Sequence, residues 1–411
     1  MAAPILEHWE MTAALNDLTD WLIQQGLENT PVEIWLEGCC NRLVAAGIPL
    51  QRVSVSMQAH HPEIGAVAFR WYREGESERE DFQRSTESTE EYLLSPIYYL
   101  LSNNTDEIRQ NLTVPKPTLN FPIFDDLREL GATDYFAAKR LFLREDNAVS
   151  VDPNQAEEGV VISLTTDATD GFTDAHLDGL RQLLPPLCLT LKSAANRLMA
   201  EDITAAYMGR DASKRVLSGD ITRGSSQTIP AVIWYFDLKG FTKLSETLPG
   251  IAIIEMLNGY FAEAVEVVEG HGGNVLKFMG DGLLAIFDMD QIPDARHVAI
   301  EAALELRGAF VSLNEQRAAD GLVTTDFTLA LHAGDVLYGN IGGKTRLDFT
   351  VIGPAVNTTS RILGMCGAVD QAIVISAKVA ADLIERIPNL VSLGQYRLRG
   401  VQKRQELFTL D

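Results

Sequence analysis

Two aspartates, Asp237 and Asp281, are candidate ligands for divalent cations. Asp237 follows the apolar run AVIWYF, and Asp281 lies between two glycines in the later segment NVLKFMGDGLLAIF. In a β-α-β-β arrangement, the strands that carry these positions lie side by side, so the two carboxylates can meet at one end of a sheet. Paired carboxylates suit a pair of hard divalent cations. Either aspartate alone is more typical of a turn or a helix cap.

Two further groups of residues could act on a phosphate ester. Gly240, Phe241 and Thr242 come shortly after Asp237 and begin a predicted helix, whose free N–H groups suit a triphosphate. Asn357 and Arg361 are one helical turn apart, so both can point from one helix face. A guanidinium matches phosphoryl oxygens better than an ammonium does. Without the other motifs, this spacing would indicate only a solvated helix face.

The elements around these residues follow a recognisable order. A strand bounded by Pro230 and Gly240 precedes a helix that ends at the glycines after His271. A hairpin turns at Gly280-Asp281-Gly282, and an amphipathic helix and a strand with a glycine-rich end follow. This β-α-β-β-α-β order is the ferredoxin-like pattern. The segment GNIGGKT has the wrong glycine spacing for a P-loop.

Several long motifs, in this order, resemble the catalytic domain of class III nucleotidyl cyclases. They are FDLKGFTKLSE, NGYFAEAVEVVEGHGGNVLKFMGDGLLAIF, LHAGDVLYGNIGG and LDFTVIGPAVNTTSRI. The closing segment, QYRLRGVQKRQELFTL, resembles the C-terminal end of the same domain. The resemblance covers residues 226–411. It implies an α+β fold and conversion of ATP to 3′,5′-cyclic AMP and pyrophosphate with two divalent cations, Mg²⁺ or Mn²⁺.

The resemblance also implies roles for the phosphate-binding residues. Asp237 and Asp281 match the family's metal-binding aspartates, and the Leu238 carbonyl would complete the shell of one ion. One ion would activate the ribose 3′-hydroxyl, and the other would bind the β- and γ-phosphates. In the family, the residue matching Asn357 orients the ribose, and the one matching Arg361 stabilises charge on the α-phosphoryl group.

Base selection would depend on Lys277 and Thr350, with Arg399 contacting the terminal phosphates. In the family, the lysine donates a hydrogen bond to adenine N1. Guanine N1 carries a hydrogen, so guanine would place donor against donor. Thr350 stands where many adenylyl cyclases have Asp, and its hydroxyl can accept or donate. Guanylate or mixed specificity therefore stays open, as does a catalytically silent nucleotide-binding protein. The threonine also resembles a subclass that includes bicarbonate-responsive cyclases.

In this family the active site lies between two catalytic domains. The aspartates would come from one chain, and Lys277, Thr350, Asn357 and Arg361 from the other. Because this sequence holds one copy of each half, we expect a homodimer with two composite sites.

The N-terminal half has a different order of predicted helices and strands. Two helices are predicted before residue 46, then a hairpin over 50–75, a loop or solvated face over 74–91, a helix from Pro96, two strands near 135–142 and 160–165, and a helix over 173–184. This order is similar to GAF-type sensory domains, although an inert dimerisation domain is a close alternative. His60-His61 beside Pro62 indicates a surface turn.

We therefore predict a GAF-like sensory domain over residues 1–184, a helical linker over 185–225 and the cyclase domain over 226–411. Pro185-Pro186 is expected to interrupt the helix. The helix resuming at Leu187 could form a short coiled-coil seam or pack on its own domain. Residues 209–229, rich in Gly, Ser, Arg and Asp, are predicted to be a connector.

Composition excludes several classes of protein. The 411 residues contain 34 Lys and Arg against 57 Asp and Glu, a net charge of −23, which argues against nucleic acid or anionic lipid as partner. The four cysteines lack the spacing of a disulfide framework and indicate a reducing compartment. The N-terminus does not resemble a signal peptide, and no apolar run is long enough for a membrane span. We expect a cytoplasmic protein.

Overall fold

The computed structural model describes residues 3–59, 63–84, 89–103, 105–115, 117–142 and 159–411. The chain divides into an N-terminal unit, Met1–Ile203, and a C-terminal unit, Thr204–Asp411. The division falls inside the segment predicted to be a linker. Among the helices in these ranges, none has the length and apolarity needed to cross a membrane. The four cysteines are buried and free.

The N-terminal unit is an antiparallel sheet with helices, in the strand order β3-β2-β1-β6-β5-β4. Its elements are α1 (Ala3–Glu28), α2 (Val32–Ala45), β1 (Arg52–Gln58), β2 (Ile64–Tyr72), β3 (Glu78–Gln83), α3 (Glu90–Leu93), α4 (Pro96–Ser102), β4 (Glu107–Asn111), α5 (Ile123–Glu129), β5 (Asp134–Leu141), β6 (Gly159–Thr166) and α6 (Asp174–Met208). The two early helices, the hairpin, the helix at Pro96 and both later strands are confirmed. The charged segment contributes the exposed strand β3, and His60-His61 lies outside the described residues.

The predicted interruption at Pro185-Pro186 is wrong, because α6 continues through both prolines. Proline removes a helical hydrogen bond and costs roughly 3 kcal/mol inside a helix. Here Leu183, Leu184 and Leu187 are buried in one apolar core on both sides of the prolines, and this burial offsets the cost. The same core holds the first positions of the expected coiled-coil seam, so this part of α6 packs on its own unit.

The C-terminal unit contains a mixed sheet in the order β13-β14-β12-β10-β7-β9-β8, with β11 paired to β10. Its elements are α7 (Arg210–Leu217), β7 (Ser226–Leu238), α8 (Phe241–Thr247), α9 (Gly250–Gly270), β8 (Asn274–Met279), β9 (Gly282–Asp288), α10 (Ala295–Ala319), β10 (Phe327–Gly342), β11 (Leu347–Ile352), α11 (Pro354–Leu363), α12 (Cys366–Val369), β12 (Ile373–Ser376), α13 (Ala377–Ala380), β13 (Leu390–Tyr396) and β14 (Gln405–Leu410).

The ferredoxin-like β-α-β-β-α-β order is confirmed over β7 to β10. Strand β7 pairs antiparallel with β9 on one side and with β10 on the other. The side chains of Trp234 and Phe236 on β7, Tyr260 on α9 and Phe310 on α10 are buried in one apolar core. This packing fixes the strand that carries Asp237 near its end next to the strand that begins at Gly282.

The connector predicted over 209–229 includes parts of two regular elements. Helix α7 occupies Arg210–Leu217, and β7 begins at Ser226, before the proline that was expected to bound it. Ala212 in α7 is buried in a core with Ile229 and Ala231 of β7. Arg215 and Asp211 are one helical turn apart and form a 2.8 Å ion pair that stabilises α7.

Candidate active site

The structure brings Asp237 and Asp281 to the same end of two paired strands. Asp237 lies opposite Gly282 in the β7–β9 register, and the Leu238 N–H donates to the Asp281 carbonyl at 3.1 Å. The turn needs Gly280, whose φ of 68° is in the left-handed region. A Cβ at Gly282 would lie 3.1 Å from Asp237 Oδ1, so the glycine leaves space beside the carboxylate.

The two carboxylates repel one another. Burial, followed by the charge of Asp281, raises the pKa of Asp237 from 3.8 to about 6. The pKa of Tyr235 is also raised, first by burial and then by both aspartates. Neither aspartate has an ion-pair partner within the described ranges. A bound cation would relieve this repulsion, so the pair fits the metal-binding role that the sequence predicts.

The pair alone cannot fill the coordination shell of two cations. The described part of the chain contains no cluster of three or more His, Cys, Asp or Glu side chains that could hold a metal ion. Hard cations such as Mg²⁺ prefer about six oxygen ligands. Most ligands would therefore be water, phosphate oxygens of a substrate and a backbone carbonyl such as that of Leu238.

Removing one charge from the pair should stabilise the metal-free protein. Because the folded state raises the pKa of Asp237, the ionised carboxylate disfavours folding above pH 6, and this penalty disappears near pH 4. In EDTA at pH 8, Asp237→Asn should raise the free energy of unfolding by about 1 kcal/mol, a value reduced because Asp237 is partly exposed. This corresponds to a rise of about 2 °C in Tm. Thermal unfolding of both proteins at pH 8 and pH 4.5 measures this. A variant that melts below the wild type at pH 8 would contradict it.

Helix α8 begins four residues after Asp237. Gly240 adopts φ 73° before its first turn, and its carbonyl accepts from the Lys243 N–H at 3.1 Å. The N–H groups of Phe241 and Thr242 precede any intrahelical acceptor and are left for another partner. Phe241 packs against the apolar core, whereas Thr242 is exposed. The predicted phosphate-binding start of a helix thus lies beside the aspartate pair.

Strands β8 and β11 carry Lys277 and Thr350, and a side-chain ion pair joins the two strands. Lys277 follows an irregularity in the β8–β9 register. Its Nζ lies 2.8 Å from Oδ2 of Asp348, two residues before Thr350. Thr350 is 6% exposed, and its hydroxyl is buried without a hydrogen-bond partner among the described residues. The motif analysis missed Asp348, although a spacing of two on a strand places it on the same face as Thr350.

Asn357 and Arg361 share the exposed face of α11. The opposite face of this helix packs inward through the buried Ala355, Thr359 and Ile362. In the ranges that the structure describes, neither the Asn357 amide nor the Arg361 guanidinium has a side-chain hydrogen bond or ion pair. Arg399 is exposed just beyond β13.

The candidate residues form separate groups within one chain. Asp237, Leu238, Asp281 and Gly240 lie at one end of β7 and β9. Asn357 and Arg361 lie on α11, after the β10–β11 hairpin. No hydrogen bond or ion pair between described residues joins the aspartates to Lys277, Asn357 or Arg361. The individual roles of these residues stay predictions.

The C-terminal unit has known relatives. Residues 225–411 match the family model for the adenylate and guanylate cyclase catalytic domain. The chain is 32% identical over 168 residues to adenylate cyclase of Anabaena cylindrica, covering 40% of this chain and 33% of that protein. It is 29% identical over 218 residues to adenylate cyclase 1 of Rhizobium meliloti, covering 51% and 32%.

A solved structure also aligns with this chain. The crystal structure of the adenylyl cyclase CyaB from P. aeruginosa shows 26% sequence identity and a TM-score of 0.42 over 46% of this chain and 96% of that one. In both curated relatives, the matched region is only about a third of the relative's length.

Proposed function

Because residues 225–411 form a class III adenylyl/guanylyl cyclase catalytic domain, we propose that this protein is an adenylate cyclase that converts ATP to 3′,5′-cyclic AMP and pyrophosphate. One observation carries the proposal. Asp237 and Asp281 meet at the end of β7 and β9, beside the start of α8, with no cationic partner among the described side chains. That arrangement suits a nucleoside triphosphate with its divalent cations.

Each residue near the phosphates then has a defined task. When bound, Mg²⁺ or Mn²⁺ would make the ribose 3′-hydroxyl more acidic and neutralise the departing pyrophosphate. Asp237 and Asp281 hold these cations, together with the Leu238 carbonyl. The N–H groups of Phe241 and Thr242 donate to the terminal phosphate oxygens.

The remaining polar residues orient the substrate. Asn357 positions the ribose, and Arg361 donates to the α-phosphoryl oxygens as negative charge develops there. Arg399 contacts the terminal phosphates. Because Arg361 is exposed on α11 without an acid partner in the described part of the protein, its guanidinium is available for this contact.

The purine is read by Lys277 and Thr350. The Lys277 ammonium donates to adenine N1, and the Thr350 hydroxyl accepts from the 6-amino group. Burial of the unpartnered Thr350 hydroxyl supports this role, since an unpaired buried hydroxyl costs free energy until a ligand satisfies it. The same hydroxyl could donate to a guanine carbonyl, so guanylate or mixed specificity is the second candidate.

The complete site forms between two copies of the chain. Apolar side chains are exposed around the purine-reading strands, including Phe278 (51%), Leu337 (43%) and Ile352 (46%). Exposed apolar side chains in one region favour association. A homodimer would cover them and place the aspartates of one copy against Arg361 of the other.

The N-terminal unit regulates this reaction. Helix α6 runs from Asp174 to Met208 and so includes the division between the units. A GAF-like sensory role for the N-terminal unit, with a small molecule as its signal, rests on this continuous helix and on the element order. Bicarbonate is a candidate regulator, because Thr350 resembles the residue found in a subclass that includes bicarbonate-responsive cyclases.

Turnover of ATP and GTP by the purified chain tests the proposal. With Mg²⁺ or Mn²⁺, we expect cyclic AMP and pyrophosphate, and a kcat/KM for ATP at least about 10-fold above that for GTP, because guanine N1–H would face the Lys277 donor. Lys277→Glu is the matched variant, since a carboxylate accepts from guanine N1–H, and it should lower that ratio. Tight ATP binding without pyrophosphate release would instead support a silent nucleotide-binding protein.

A further inference from the structure

An ion pair between Lys277 and Asp348 joins the two purine-reading strands. Lys277 Nζ and Asp348 Oδ2 are 2.8 Å apart, and the two side chains are 31% and 61% exposed. An isolated pair with this exposure contributes little to folding. The significance of the ion pair therefore lies in its position, because it joins β8 to the strand that carries Thr350.

The backbone register fixes where Asp348 lies. In the β10–β11 hairpin, Asp348 is opposite Ile341 and Thr350 is opposite Gly339. The intervening Phe349 is buried in the apolar core with Tyr338. Alternation along the strand then places the Asp348 carboxylate and the Thr350 hydroxyl on the face opposite that core. The carboxylate thus binds the Lys277 ammonium on the strand face that carries the unpartnered hydroxyl.

We propose that Asp348 is a positioning residue for purine selection, which holds the Lys277 ammonium beside Thr350 so that the two together read the purine edge. This inference rests on the proposed cyclase function. A lysine side chain is a flexible stem with three N–H donors. One donor binds Asp348, and two are left for the base. The neutral Thr350 side chain cannot hold the ammonium by charge, so Asp348 supplies the fixed anion.

The alternative is that Asp348 makes only a surface ion pair. Both views allow a modest effect on stability, but only the positioning role changes the choice between purines. Without the carboxylate, Lys277 would sample other rotamers, and its donor would no longer be held against N1. The kcat/KM for ATP would fall more than that for GTP, because adenine N1 accepts a hydrogen bond from the Lys277 donor and guanine N1 does not.

The test compares full-length wild type, Asp348→Asn, Asp348→Glu and Asp382→Asn. Asp382 is a matched control, since it is an exposed carboxylate in a 2.7 Å ion pair with Arg296 of the same unit. We expect Asp348→Asn to lower the ratio of kcat/KM for ATP to that for GTP by roughly 10-fold, mainly through KM for ATP. Asp348→Glu should restore part of the ratio, and Asp382→Asn should leave it unchanged.

Equilibrium binding of ATP and GTP, measured by calorimetry on the same proteins, separates this proposal from the proposed function. If the wild type forms no cyclic nucleotide, the cyclase proposal fails, and the ratio of the two affinities still tests Asp348. A ratio in Asp348→Asn within twofold of the wild type, by turnover or by binding, would overturn the positioning role. An equal fall in kcat/KM or in affinity for ATP and GTP would overturn the positioning role as well.

Discussion

Asp281→Asn is expected to abolish cyclic nucleotide formation while the chain stays folded. The turn that carries Asp281 begins with Gly280 in a left-handed conformation and ends where β9 pairs with β7, and asparagine fits the same backbone. The change removes one of the two charges that would hold the cations. Loss of that electrostatic stabilisation should lower kcat by roughly 10³-fold, equivalent to about 4 kcal/mol.

The measurement is the rate of cyclic AMP formation at saturating ATP, with Mg²⁺ and Mn²⁺ each varied. Asp382→Asn is the control, because it removes a carboxylate from the same unit outside the site. Added Mg²⁺ should raise the Tm of the wild type and leave that of Asp281→Asn nearly unchanged. A kcat for Asp281→Asn within tenfold of the wild type would show that this carboxylate does not hold a catalytic cation.

The framework of the C-terminal unit could be predicted because its signals are local and agree with one another. The run that ends at Asp237 is apolar, the hairpin turn is marked by glycines, and the helices carry clear periodicity. Once the β-α-β-β order is known, the pairing of β7 with β9 follows. That pairing brings Asp237 and Asp281 together, so the core of the candidate site follows from topology.

The wrong predictions arose where tertiary packing outweighs a local signal. Pro185 and Pro186 are strong helix breakers in isolation, but leucines on both sides of them share one core. Helix α7 is only eight residues long and mostly polar, and the residues that it buries are the small Ala212 and Ser213. Short polar segments of this kind resemble connectors until the surface on which they pack is known.

Asp348 could not be identified from sequence for a related reason. Its partner Lys277 is 71 residues away along the chain. The contact depends on how β11 folds back on β10, and on the irregularity just before Lys277 in β8. A spacing of two from Thr350 indicates a shared strand face, but it does not identify the side chain that lies across from it.

The proposal that two chains share each site makes a second large prediction. Arg361→Ala alone should lower kcat by roughly 10²- to 10³-fold, since it removes the guanidinium expected at the α-phosphoryl group. Asp237→Ala alone should be similarly inactive, since it removes a cation ligand. Each homodimer would carry its defect in both sites. A heterodimer of the two variants would combine both defects in one site and leave the other intact.

Mixing equal amounts of the Asp237→Ala and Arg361→Ala chains, with time for subunit exchange, tests whether two chains build each site. Half of the dimers would be heterodimers with one working site, so we expect about a quarter of the wild-type activity per chain. Mixing either variant with more of itself should restore nothing. A mixture no more active than the separate variants would contradict a site built from the aspartates of one chain and Arg361 of another.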